Sequence, residues 1–222
     1  EATFARRHQA KHCLTLVNGT LSLEAALRAV GVEHGDEVIV PPYTFIATAN
    51  AVRLIGAIPV FVDVEPDTYN LDISRIEEAI SPRTKAVIPV HFAGLMADMD
   101  ALLPLAKQHN LAIIEDAAHA HGSTWRGQPA GTLGDIGSFS LQQSNNLTSG
   151  EGGILLTNSD ALKEKLWSYI NQGRSLAGAW YEHANLGSNL RMTGWQAAIL
   201  IAQMERFDEQ LQRRMSNARR LN

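Results

Sequence analysis

Three short stretches bring together residue types that can hold a charged group or move a proton. The first is "NGT", residues 18–20, between an apolar run and a helical pattern. Free N–H groups at a helix start, reinforced by the helix dipole, favour a phosphate, so Gly19 and Thr20 are candidate phosphate ligands. The plain alternative is that Thr20 caps the helix. The second is "EDAAHAH", residues 115–121, where Asp116 closes an apolar run and His119 and His121 follow it. A carboxylate there can pair with a cation, or simply cap the next helix. Glu115 alternates to the other side of the strand. His91, Asp116, His119 and His121 also have the donor types of a metal site. Strand tips bring such residues close in any α/β sheet, and helical phase separates 119 from 121, so no metal is expected. The third is "SFSLQQSNNLTSGEGG", residues 138–153, which sets Ser140, Asn145 and Asn146 ahead of a glycine-rich run. Its "GEGG" precedes a strand, and no G-x-G-x-x-G follows the first strand, which argues against a dinucleotide fingerprint.

The elements that must position these residues alternate along the chain. Apolar runs at 13–17, 37–40, 59–64, 85–91, 111–116, 136–141 and 152–158 read as strands. Helical patterns lie near 20–31, 44–55, 73–80, 97–109, 160–171 and 193–220, and the first residues read as the interior of an amphipathic helix. Most strands are continuous Val, Ile and Leu, the pattern of burial on both faces. Strand–helix alternation predicts βαβ units, and hence an α/β fold with a mostly parallel sheet and helices on both faces. In such sheets ligands bind beyond the C-terminal ends of the strands, where 18–20, 41–44, His91 and 116–121 fall. Residues 173–189 form the longest candidate loop. The pattern "RMTGWQAAILIAQMERF" reads as a long packed helix.

The chain has 222 residues, 45% of them hydrophobic, enough for a sizeable core. Its net charge of -4 argues against nucleic acid or an anionic membrane as partner. No apolar stretch approaches the length of a membrane span, and the start has no apolar signal segment. Cys13 is the single cysteine, so no intrachain disulfide forms and a cytoplasmic setting is favoured. Both ends read as cut: the last residues run helical to the end with no C-cap.

Six stretches occur in register along the chain: "VNGTLSLEAAL", "PPYTFIATANAV", "FVDVEPDTYNLD", "IIEDAAHAHGS", "GDIGSFSLQQSNNLTSGEGG" and "LGSNLRMTGWQAAIL". Together they resemble the DegT/DnrJ/EryC1/StrS family of pyridoxal-phosphate (PLP)-dependent sugar and cyclitol aminotransferases. The resemblance implies the large cofactor-binding domain of a fold-type-I PLP-dependent transferase across 1–222, with a small C-terminal domain beyond it. It implies pyridoxal or pyridoxamine phosphate (PMP) as cofactor, and a homodimer with a shared active site. The family reaction moves an amino group from glutamine or glutamate to a keto-cyclitol or a nucleotide keto-sugar. The wording "QQSNNLTSGEGG" and "NQGRS" is closer to the keto-cyclitol branch.

Residue by residue, the resemblance assigns Gly19, Thr20 and Ser140 to the cofactor phosphate. It assigns Phe45 to stacking on the ring, where core packing is the alternative. It gives Asp116 to the pyridinium nitrogen, where a carboxylate keeps the ring protonated and a better electron sink. His119 stands where many members have glutamine near the cofactor's hydroxyl. Asn189 matches an asparagine that reaches the phosphate of the neighbouring subunit.

One position departs. The family normally reads "QQSKN", and that lysine's amine takes up the cofactor aldehyde; here Asn145 occupies the place. An amide is neither basic nor nucleophilic near neutral pH. Impaired or absent turnover in this form is therefore expected. An engineered lysine variant, a lysine-free dehydratase-like relative that binds the cofactor non-covalently, and a non-catalytic partner subunit completing another chain's site all remain open.

Overall fold

The computed structural model describes residues 1–179 and 181–221; Trp180, inside the long loop expected at 173–189, lies outside them. In chain order the elements are α1 (Ala2–His8), β1 (His12–Leu16), α2 (Gly19–Ala29), β2 (Glu37–Val40), α3 (Ala47–Leu54), β3 (Ile58–Phe61), α4 (Ile76–Ala79), β4 (Thr84–Val87), α5 (Met99–Gln108) and β5 (Ala112–Asp116). They continue with β6 (Thr124–Trp125), β7 (Gln128–Pro129), β8 (Ile136–Ser140), β9 (Gly153–Thr157), α6 (Asp160–Ile170) and α7 (Gly194–Leu221). Short 3-10 turns precede α4 and α5.

Seven strands form one sheet in the order β1-β9-β8-β5-β4-β2-β3. The pairs β2–β3, β2–β4, β4–β5 and β5–β8 are parallel, whereas β9 runs antiparallel to both β8 and β1. The mostly parallel expectation therefore holds, with an antiparallel margin on one side.

The continuous apolar runs are explained by two cores, one on each face. Successive residues take opposite sides. Val38, Val40 and Ile114 join Leu27 of α2, Val52 of α3 and Leu166 of α6. Ile39, Ile113, Ile154 and Leu156 join Phe4 of α1, Leu102 of α5 and Phe207 of α7. Each such side chain contributes about 1.5–3 kcal/mol on full burial. Edge strand β3 is the exception: Ile58 and Phe61 are exposed. It ends at Phe61 and not at residue 64, because its one partner, β2, ends at Val40 directly opposite. The two-residue strands β6 and β7 were not visible as apolar runs; they close a hairpin through Arg126 and Gly127, both at positive φ.

None of the helices among the described residues is long and apolar enough to cross a membrane. The long α7 fits the expected packed helix only in part: Leu200 and Phe207 are buried, while Trp195, Ile201 and Met215 are exposed.

Candidate active site

A cavity of about 940 Å³ opens over the C-terminal ends of β5 and β8, beside the starts of α2 and α3. Its lining includes Gly19, Thr20, Phe45, Asp116, His119, Ser140 and Asn145, so residues up to 126 positions apart meet around one space. Asn189 is not among the lining residues and is exposed on the far end of the 171–193 segment.

The start of α2 opens onto the cavity. Asn18 is extended, and its Oδ1 accepts from the Leu21 N–H at 2.9 Å. Asn18 is therefore the cap, and the alternative of Thr20 as cap is set aside: Thr20 sits inside the first turn and its side chain faces the cavity wall. N–H groups of a first turn have no partner within the helix. Gly19 lets the turn approach β8 closely, since a Cβ there would lie 2.7 Å from Ser140 Cβ and 3.2 Å from its Oγ. The helix start and the Ser140 hydroxyl thus share one corner.

Phe45 is 72% exposed in the cavity lining, which removes core packing as its role. The helix read at 44–55 begins only at Ala47. Residues 44–46 instead form the approach to it, which leaves the Phe45 ring on the cavity side.

Asp116, 6% exposed, lies at the floor. Thr48 Oγ1 donates to its Oδ2 at 2.9 Å, and the Ala118 N–H donates to Oδ1 at 3.3 Å. Burial pushes its carboxyl above the ordinary carboxylate range, opposed by these two donors and by the imidazoles of His119 and His91. A buried carboxylate without a cation in contact is a ready partner for a positively charged ring nitrogen.

The histidines divide. His119 is exposed in the cavity lining, 6.3 Å from the Phe92 ring. His91 is fully buried: its Nδ1 accepts from the Ala97 N–H at 3.2 Å, so its Nε2–H donates to Glu115 Oε2 at 2.9 Å. His121 Nε2 donates to the Ser140 carbonyl at 2.8 Å from among Phe4 and Phe139. The candidate metal set is thus dispersed, and no group of three His, Cys, Asp or Glu able to hold an ion occurs among the described residues.

Asn145 is half-buried between β8 and β9. Its Nδ2 donates to the Ser140 carbonyl at 3.0 Å, and its N–H donates to Gln142 O at 3.0 Å. Sequence reasoning did not single out Thr48. The available signal was helical spacing: Thr44 and Thr48 are one turn apart, flanking Phe45, and their hydroxyls lie 3.1 Å from each other.

The profile of the DegT/DnrJ/EryC1/StrS aminotransferase family matches residues 1–222. The chain belongs to this family. It is 48% identical over 211 residues to GDP-perosamine synthase of Caulobacter vibrioides, covering 95% of this chain and 57% of that protein. It is 43% identical over 226 residues to L-glutamine:2-deoxy-scyllo-inosose aminotransferase of Micromonospora echinospora, covering 98% and 54%. A DegT/DnrJ/EryC1/StrS aminotransferase of Brucella abortus superimposes with a TM-score of 0.95 at 34% identity, covering 99% of this chain and 61% of that one. Relatives and structural neighbours of this kind are PLP-dependent aminotransferases, and the architecture is that of fold-type-I PLP transferases. The chain spans just over half the length of these curated relatives.

Proposed function

We propose that the chain is the large cofactor-binding domain of a PLP-dependent aminotransferase that moves an amino group from glutamine or glutamate to a keto-cyclitol or nucleotide keto-sugar. The cyclitol reading draws on the Micromonospora relative, whose name specifies a deoxy-inosose, and the sugar-nucleotide reading on the Caulobacter one. The single cysteine favours a cytoplasmic setting. The observation that carries the proposal is the convergence of the α2 start, Phe45 and the buried Asp116 on one cavity.

Pyridoxal phosphate, when bound, supplies an electron sink for the substrate carbon that gains or loses the amine. The chain's own residues do the rest. Gly19 and Thr20 offer first-turn N–H groups, and Ser140 a hydroxyl, to a phosphate. Several such charge-assisted bonds, each worth about 1.5–3 kcal/mol, suffice to hold a cofactor without a covalent link. Phe45 presents an apolar face to a flat ring. Asp116 holds a ring nitrogen protonated, and His119 can donate to a hydroxyl. Asn189 serves the phosphate site of a second copy in a homodimer.

Asn145 stands where the family carries its lysine, and turnover in this form is impaired. An amide can neither attack an aldehyde nor carry a proton between carbons; losing positioned acid–base chemistry alone costs about 10²–10⁴ in rate. The same amide supports a second reading, a non-covalent PLP- or PMP-binding dehydratase-like enzyme or partner subunit, because the Asn145 side chain is already engaged with the Ser140 carbonyl.

The test is Asn145→Lys. After incubation with PLP and borohydride, the variant should gain one cofactor mass at residue 145 and transfer amine from glutamine about 10²–10⁴ times faster than the parent. Equal transfer rates, or no mass gain at residue 145, would overturn the lysine assignment.

A further inference from the structure

Asp116 does not stand alone at the cavity floor. Thr48, the second residue of α3, is 1% exposed and reaches it across 68 residues of sequence. A threonine hydroxyl has one proton to give. Its oxygen is within reach of Asp116 Oδ2 at 2.9 Å, the Phe45 carbonyl at 3.4 Å and Thr44 Oγ1 at 3.1 Å. An ionised carboxylate is the strongest and nearest of these acceptors, so the Thr48 proton goes to Asp116. Thr44 must then be the donor to Thr48. The polarity of the chain is fixed from Thr44 to Thr48 to Asp116.

We propose that Thr48 is a positioning residue for the cofactor site, its hydroxyl orienting Asp116 so that the carboxylate stays charged and keeps its remaining lone pairs toward the cavity. The proposal rests on the cofactor reading above. Four observations carry it beyond a packing role. The hydroxyl is buried and spent on the carboxylate. The segment that delivers it, residues 44–48, also delivers Phe45 to the cavity wall, so stacking ring and carboxylate are set by one piece of backbone. The start of α3 has no side-chain cap, and its dipole places partial positive charge beside the carboxylate. Ala118 N–H holds the other oxygen, so Asp116 cannot swing without breaking a bond at each end. The other ionisable groups acting on it are His119 and His91.

The experiment compares Thr48→Val, Thr48→Ser and Thr44→Val with the parent. First, Asp116 is titrated by carbon NMR in the cofactor-free protein. Second, PMP affinity is measured by titration. Thr48→Val should move the Asp116 titration to higher pH and weaken PMP about tenfold or more. Thr48→Ser should restore both. Thr44→Val should shift both in the same direction by less, about two- to threefold in affinity, through the loss of one relayed donor. It stands as the readable variant if Thr48→Val does not fold. An unmoved Asp116 titration in Thr48→Val, or in Thr44→Val if that alone folds, overturns the proposal, as does failure of serine to rescue. The titration needs no cofactor. Its shift without any PMP binding to the parent would sink the cofactor reading and leave the tether standing.

Discussion

Glu115 and Asp116 are joined by one peptide bond and point to opposite sides of the same strand. Glu115 is fully buried and saturated: its Oε2 accepts from His91 and from the Gly131 N–H at 2.7 Å, and its Oε1 from the Leu133 and Gly134 N–H groups, both at 2.7 Å. Asp116 has one side-chain donor and one long backbone contact, and the remainder of its capacity faces the cavity. One carboxylate ties the 131–134 turn to the sheet; the other is left available.

That availability has a cost in the cofactor-free protein. Asp116 has a folded-state pKa above its ordinary value, so its charged form opposes folding once pH exceeds the unfolded pKa. Asp116→Asn should therefore raise the cofactor-free Tm at neutral pH by roughly 2–4 °C per kcal/mol relieved, while weakening PMP at least about tenfold. Calorimetry and PMP titration check the two halves. A lower Tm with unchanged affinity would mean that Asp116 is structural.

Gly19 lies so close to Ser140 that no side chain fits between them. In Gly19→Ala the new methyl meets Ser140 Cβ at 2.7 Å. Helix start and strand end must separate, with an overpacking loss of about 1–3 kcal/mol. Denaturant melts should show this, and PMP affinity should fall more steeply than affinity for phosphate-free pyridoxamine. Equal losses for both ligands would place the phosphate elsewhere.

Two buried histidines make the fold acid-sensitive. His8 stacks on Phe4 with ring centroids 4.1 Å apart, and burial lowers its pKa to about 4; burial does the same to His121, also to about 4. Both folded values lie below the ordinary 6.5, so the unfolded chain binds more protons between pH 6.5 and 4. Stability is full above about 6.5 and drains away as pH falls, by about 3 kcal/mol per histidine. His121→Gln should flatten the fall of Tm across that window by roughly half. A slope equal to the parent's would show that His121 is charged or exposed in the native state.

The sequence disclosed the sheet readily because most of its strands are unbroken Val, Ile and Leu, the pattern that two-sided burial favours. Strand tips and helix starts also led to six residues that line the cavity, and the family resemblance added Phe45. The sequence hid what depends on distant partners. The Thr48 hydroxyl looks like any helical threonine until Asp116 is placed against it. The first turn read at 44–46 has helical composition, yet Thr44 and Phe45 line the cavity and α3 starts at Ala47. His91 looked like a strand-tip ligand because nothing local reveals the Glu115 carboxylate that claims its ring.

The turn that carries residue 145 is held by main-chain bonds: Leu141 N–H to Gly152 O at 2.9 Å, Asn145 N–H to Gln142 O, and Ser149 N–H to Leu141 O, the last two at 3.0 Å. None of these depends on which side chain projects at 145. A turn organised this way keeps its shape whatever side chain it displays, so the group it presents and the architecture beneath are free to vary separately.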